Sequence, residues 1–185
     1  IRDQVAPRFQ SIHIYPMDKM SRGKGKGEKF SSKLVKDKGI YTIPHGTEIS
    51  ASGTLGMSVE VFDYLDGASN RCGIYTLEMY VDNKLSYSHT MDEFSFSESR
   101  YINAHTDYEA NIRLGLKAHR LHRLPNDKLR IYNRDAKNTP LVLNEARSYQ
   151  IRIVATDVAG NSSALEFKVT GNKEVASSAD PVSGF

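Results

Sequence analysis

Apolar and polar residues alternate with period two along most of this chain. Ile12 and Ile14 alternate with Ser11 and His13, and Leu55, Met57, Val59 and Val61 share one parity. Tyr75, Leu77, Met79 and Val81 follow. Then, after Asp82-Asn83, come Leu85, Tyr87 and His89. Leu129 and Ile131 alternate with Arg130 and Tyr132. Tyr149, Ile151, Ile153 and Ala155 form the cleanest run, and Leu165, Phe167 and Val169 close the series. Each run predicts a strand with one apolar face, as in two antiparallel sheets packed face to face. Asp82-Asn83 tolerates the positive φ of a two-residue hairpin turn. Tyr149 opens the penultimate strand, as in the tyrosine corner of immunoglobulin-like sandwiches, and DVAGNSS supplies a tight turn after it. With one Cys and no Trp, the disulfide-and-tryptophan core of a true immunoglobulin domain is excluded. The expected fold is therefore all-β: an Ig-like or fibronectin-like antiparallel sandwich over residues 1–170.

One segment breaks the alternation. Thr106 and Glu109 have capping-box spacing, and Tyr108 and Ile112 share a helical face. These signals predict one short inserted helix near residues 106–114, within an insertion spanning 105–116. Residues 171–185 hold few large apolar residues and read as a linker or disordered tail. Charge adds a loop. Residues 19–38 carry seven Lys and one Arg against Glu28 and Asp37, a balance of +6, whereas the whole chain carries +3. Gly and Ser alternate with those lysines, which reads as an extended solvated loop. Lys24, Lys26, Lys29 and Lys33 are its candidate contacts for a polyanion. Phe30 is its only aromatic residue, which counts against nucleic acid.

With 185 residues, 39% of them hydrophobic, the chain is long enough for one domain with a sizeable core. No apolar run is long enough for a membrane-spanning helix. The start lacks the basic and apolar regions of a signal peptide, and Ile1 replaces an initiator Met, so a processed or excised chain is expected. The single cysteine, Cys72, reads as a half-buried strand residue. His119 and His122 lie three apart, with His105 upstream. Lys117, Arg120 and Arg123 surround the pair and oppose a cation, so these histidines read as solvated and no zinc is expected on them. Asp63, Asp66 and Asn70 cluster around Gly67, and are the candidate calcium ligands against a plain structural turn. No nucleophile elbow, phosphate loop or dinucleotide fingerprint occurs.

Three segments carry a resemblance when taken together: APRFQSIHIYPMD (residues 6–18), FDYLDGASNRCGIYTLEMYVDNKLSYSHTMDEFSFSESRYINAHTDYE (62–109) and YQIRIVATDVAGNSS (149–163). They resemble the β-sandwich region that follows the catalytic domain in lysostaphin-like (LytM-like) zinc metallopeptidases of the bacterial cell envelope. The resemblance spans approximately residues 1–170, with the middle block its most specific part. That family's zinc site uses a His-x-x-x-Asp pair and a later His-x-His. Neither spacing exists here: His89 and Asp92 are one residue too close, and His119 and His122 one too far apart. No catalytic residue carries over.

The resemblance implies an exported, non-catalytic companion of a peptidoglycan endopeptidase, in the periplasm or cell envelope. Its expected partner is a catalytic domain in cis, with peptidoglycan or another envelope polymer as a further contact. It implies no cofactor in this chain, zinc belonging to the catalytic domain. The alternative is a module binding an envelope glycan, anionic polymer or protein. The absence of Trp lowers the glycan form of that alternative.

Overall fold

The computed structural model describes residues 3–17, 29–64, 67, 70–93, 95–107 and 117–172. Its strands are β1 (Arg8–Pro16), β2 (Phe30–Lys33), β3 (Val35–Asp37), β4 (Ile40–Thr42), β5 (Ser50–Ala51), β6 (Gly53–Tyr64) and β7 (Arg71–Cys72). They continue as β8 (Thr76–Val81), β9 (Lys84–Thr90), β10 (Ala118–Arg120), β11 (Leu141–Leu143), β12 (Ser148–Thr156) and β13 (Ser162–Gly171). One sheet runs β10-β6-β1-β2, with β11 and β7 also paired to β6. The other runs β3-β4-β13-β12-β8-β9, with β5 also on β13. The pairs are antiparallel except for short parallel contacts of β4 and β5 with β13. This is the expected all-β sandwich.

Parity explains the core. Ile12, Ile14, Leu55, Met57, Val59 and Val61 of one sheet and Leu77, Met79, Ile151, Ile153, Leu165 and Phe167 of the other are buried in one cluster. Each such side chain contributes about 1.5–3 kcal/mol by leaving water. Val81, also expected inside, is half-buried at the end of β8. Val81 pairs with Lys84, and Asp82 and Asn83 between them both take positive φ, so the hairpin turn stands as expected. Tyr149 is 4% exposed, and its hydroxyl accepts the Glu145 N–H at 3.3 Å, which is the tyrosine corner. The Arg147 guanidinium lies 3.8 Å from the centre of that ring.

The other face of β1 and β6 is polar yet also buried. Ser11 donates to Glu60 at 3.0 Å, and Ser58 donates to Asp107 at 2.7 Å. Asp107 directly follows α1 (Ile102–His105) and Thr106, so the segment after this helix docks on β6 through that bond.

Two expectations need correction, and α1 lies upstream of the expected helix. Thr106 follows α1 at ψ 152° and bridges to His119. The remaining part of the expected insertion, 108–116, lies outside the described residues. Leu129 and Ile131 are buried but form no strand; only Tyr132 pairs, in a single bridge to His89. The Asp127 carboxylate accepts the Leu129 N–H at 2.9 Å and so diverts that backbone from a ladder. Finally, Gly171 is no tail residue. It ends β13, buried, with its N–H donated to Arg147, and Asn172 still donates to Ala51. Residues 173–185 lie outside the described residues.

Candidate functional site

The register brings histidines to one edge of the sandwich. β9 and β10 are end strands of their respective sheets. His89 pairs with Leu77 and His119 with Val59, so both histidines take the core-facing parity of those residues. α1 adds His105 at its last position. The three imidazoles pack edge to face or stacked, with ring centres 4.5–6.0 Å apart. One ring nitrogen from each lies within 4.8 Å of the others. His89 and His105 are buried and His119 half-buried.

A hydrogen-bonded surround holds the rings. Tyr132 donates its hydroxyl proton to the Asp127 carboxylate in a short bond, and its oxygen stands 3.3 Å from His105 Nδ1. Tyr87 Oη lies 3.0 Å from His89 Nδ1, and His119 Nδ1 lies 3.4 Å from His105 Nε2. His89 Nε2 is buried with no hydrogen-bond partner. Burial holds all three imidazoles neutral at physiological pH. It pushes His119 down to about 4, and with help from His119 and Arg120 it pushes His105 down to about 3. Burial, with His105 and His119, holds His89 well below its usual range. Burial and the bond to Asp127 hold the Tyr132 phenol protonated. The chemistry available is that of neutral nitrogen ligands backed by a carboxylate–phenol relay.

The sequence pairing of His119 with His122 dissolves. His122 is 1% exposed, both its ring nitrogens lack partners, and its nearest ring is that of Tyr15, 6.3 Å between centres. The expectation of solvated histidines fails for His105 and His122, because both point into the protein interior. His89 had no third ligand in its own sequence neighbourhood. Its inward parity beside Tyr87 was the one available signal.

Of the acidic loop's candidate ligands, the structure describes Asp63 and Asn70. Asp63 is 2% exposed and, among the described residues, groups with Asp3 and Asp157. Its carboxyl is pushed up by burial first, and then by Asp157 and Asp3. Asp157 is engaged by the turn after β12. It accepts the N–H groups of Ala159 and Asn161 at 2.8 and 2.9 Å. Asn70 is exposed, and Asp66 lies outside the described residues. Of the basic contacts, Lys29 and Lys33 are exposed, while Lys24 and Lys26 lie outside the described residues. Lys29 Nζ sits 5.9 Å from the Tyr15 ring centre. Cys72 is half-buried on β7, opposite Asp63.

No family model, curated protein or solved structure matches this chain.

Proposed function

We propose that this chain is a non-catalytic accessory β-sandwich of an exported, peptidoglycan-directed zinc metalloendopeptidase, positioning or shielding a catalytic domain in cis. The observation that carries this reading is how the polypeptide approaches β1. Asn161, in the turn after β12, donates to the Asp3 carbonyl at 3.2 Å, and Asp3 Oδ1 accepts the Val5 N–H at 3.1 Å. Pro7 then fixes φ one residue before β1 begins. A domain joined through so pinned an approach has few orientations relative to the sandwich, and a high effective concentration against it. The segments of the resemblance support the same reading. They supply β1, the end of β6 through α1, and β12 with its turn.

The alternative, an envelope-binding module, has one observation in its favour. Lys29, Lys33, Lys36 and Lys38 are all exposed around the short strands β2 and β3.

The isolated 185-residue chain, incubated with crosslinked peptidoglycan, separates these readings. Release of no free amino groups is expected, with little sedimentation alongside the wall material. Chelator-sensitive amine release would overturn the non-catalytic reading. Sedimentation that disappears at high salt and in a Lys29→Gln/Lys33→Gln variant would transfer the function to the binding module.

A further inference from the structure

The histidines at the sandwich edge have a geometry that hydrogen bonding among themselves does not use up. Tyr132 gives its only proton to Asp127, so its oxygen accepts from His105 Nδ1–H. A neutral His105 then presents a lone pair at Nε2. His89 Nδ1 shares one hydrogen bond with the Tyr87 hydroxyl, and burial leaves Nε2 unpartnered in either tautomer. With Nδ1 as the donor, Nε2 presents a lone pair that a metal ion could take. His119 Nδ1 can satisfy His105 by donating to it, but His89 Nε2 then stays unpartnered.

A metal ion would engage all three nitrogens. Two imidazole ligands of a tetrahedral ion, each at 2.0–2.1 Å, stand about 3.3 Å apart. His119 Nδ1 and His105 Nε2 are 3.4 Å apart. One ring nitrogen of His89 lies within 4.8 Å of one from each of the other two, so ring rotation on β9 and α1 would have to bring it closer to an ion. Two of the outer bonds suit metal-bound histidines: His89 Nδ1 and His105 Nδ1 each face a phenol, and Asp127 stands behind the Tyr132 phenol. Asp127 also places negative charge within reach. The nearby cation, Arg120, is directed elsewhere, donating to the Ala104 carbonyl at 3.1 Å and lying 3.9 Å from Asp107.

We propose that His89, His105 and His119 form a three-histidine site for one divalent first-row transition metal, zinc foremost, with water in the fourth position. Nitrogen ligands without a carboxylate among them exclude calcium and magnesium as the preferred ion. A cavity of about 480 Å³ that His119 helps to line, together with Cys72, Thr106 and Lys117, gives the ion and a fourth ligand a route from solvent. The bound ion would fasten the end strand of one sheet to the end strand of the other. This site is separate from the zinc of the proposed peptidase, and its existence does not depend on that reading.

The test uses the chain free of any affinity tag and stripped with a chelator. It is titrated with cobalt(II) alone and with zinc(II) alone. One cobalt per chain is expected, with the visible absorption of a four-coordinate ion, displaced by zinc. Zinc is expected to raise Tm by mass action. His119→Gln is expected to weaken binding at least about 100-fold, since loss of even a supporting residue costs 10–100-fold. His122→Gln is expected to leave binding unchanged. Should His119→Gln fail to fold, the imidazole nitrogen resonances of the wild type decide. Zinc is expected to move His89 Nε2, His105 Nε2 and His119 Nδ1, and to spare His45 and His122. A folded wild type that shows no four-coordinate cobalt band, binding that survives His119→Gln, or zinc shifts confined to other histidines would overturn the proposal.

Discussion

Lowering the pH from 7 to 5 is expected to cost the metal-free chain about 2 kcal/mol of stability through His122 alone. The imidazole is 1% exposed and is pushed down to about 4, first by burial and then by Arg120, with Asp107 opposing. In the unfolded chain it titrates near 6.5. Between those values the unfolded state binds a proton that the folded state refuses. Stability is therefore full above pH 6.5 and falls as the pH drops towards 4, by about 1.4 kcal/mol per unit. His122→Leu removes that dependence and two unpartnered ring nitrogens with it. The variant is expected to gain about 1 kcal/mol at pH 7, because an apolar group replaces an unsatisfied polar one. Urea denaturation of both proteins at pH 7 and pH 5 checks this. Wild type and His122→Leu losing stability in parallel would show that the histidine is protonated or solvated in the folded protein.

Gly171→Ala is expected to destabilise the chain by about 3 kcal/mol or more. A Cβ at this position would lie 2.2 Å from the Glu145 carbonyl oxygen and 2.9 Å from Tyr149 Cε2. Neither group can retreat cheaply. The Glu145 carbonyl accepts the Arg147 N–H at 2.9 Å, and the Glu145 N–H donates to the Tyr149 hydroxyl. Gly171 itself donates to the Arg147 carbonyl at 2.8 Å. The substitution thus sets a methyl group, at the end of β13, against the tyrosine corner. Gly56→Ala is the informative comparison. There the close atoms belong to the half-buried Tyr15 ring, which can turn aside, so a smaller loss is expected. The two urea midpoints measure the difference, and a Gly171→Ala midpoint equal to wild type would contradict the packing described for this corner.

What was legible in the sequence was local. Two-residue alternation marked β1, β6, β8, β9, β12 and β13, because each long strand buries one face against the facing sheet. Asp82-Asn83 and the Asp157–Asn161 turn were readable because their backbones need the positive φ or the side-chain acceptors that those residues supply. The helix expected from the capping box at Thr106 runs into residues outside those described. The histidine cluster was illegible because its contacts are made over long range. His89, His105 and His119 lie 14 to 30 positions apart and meet only because β9 and β10 end their sheets on the same side. Arg120 and Arg123, which argued for a solvated basic segment, instead donate to the carbonyls of Ala104 and Asp127. The basic loop remained the clearest compositional feature, yet half of its four candidate contacts fall outside the described residues.

The direct test of the proposed role compares the proposed parent peptidase with a version lacking residues 1–170, at equal zinc loading. Cleavage of crosslinked wall and of a small soluble crosslink peptide is measured for both, together with association with the wall. Removal of the sandwich is expected to change cleavage of the soluble peptide as well as of the wall, because on the proposed reading a pinned neighbour would shape access to the catalytic zinc. Rates and wall association that are all unchanged would contradict a positioning or shielding role and leave the sandwich a passive spacer. A fall in wall association alone would contradict it in favour of a binding module.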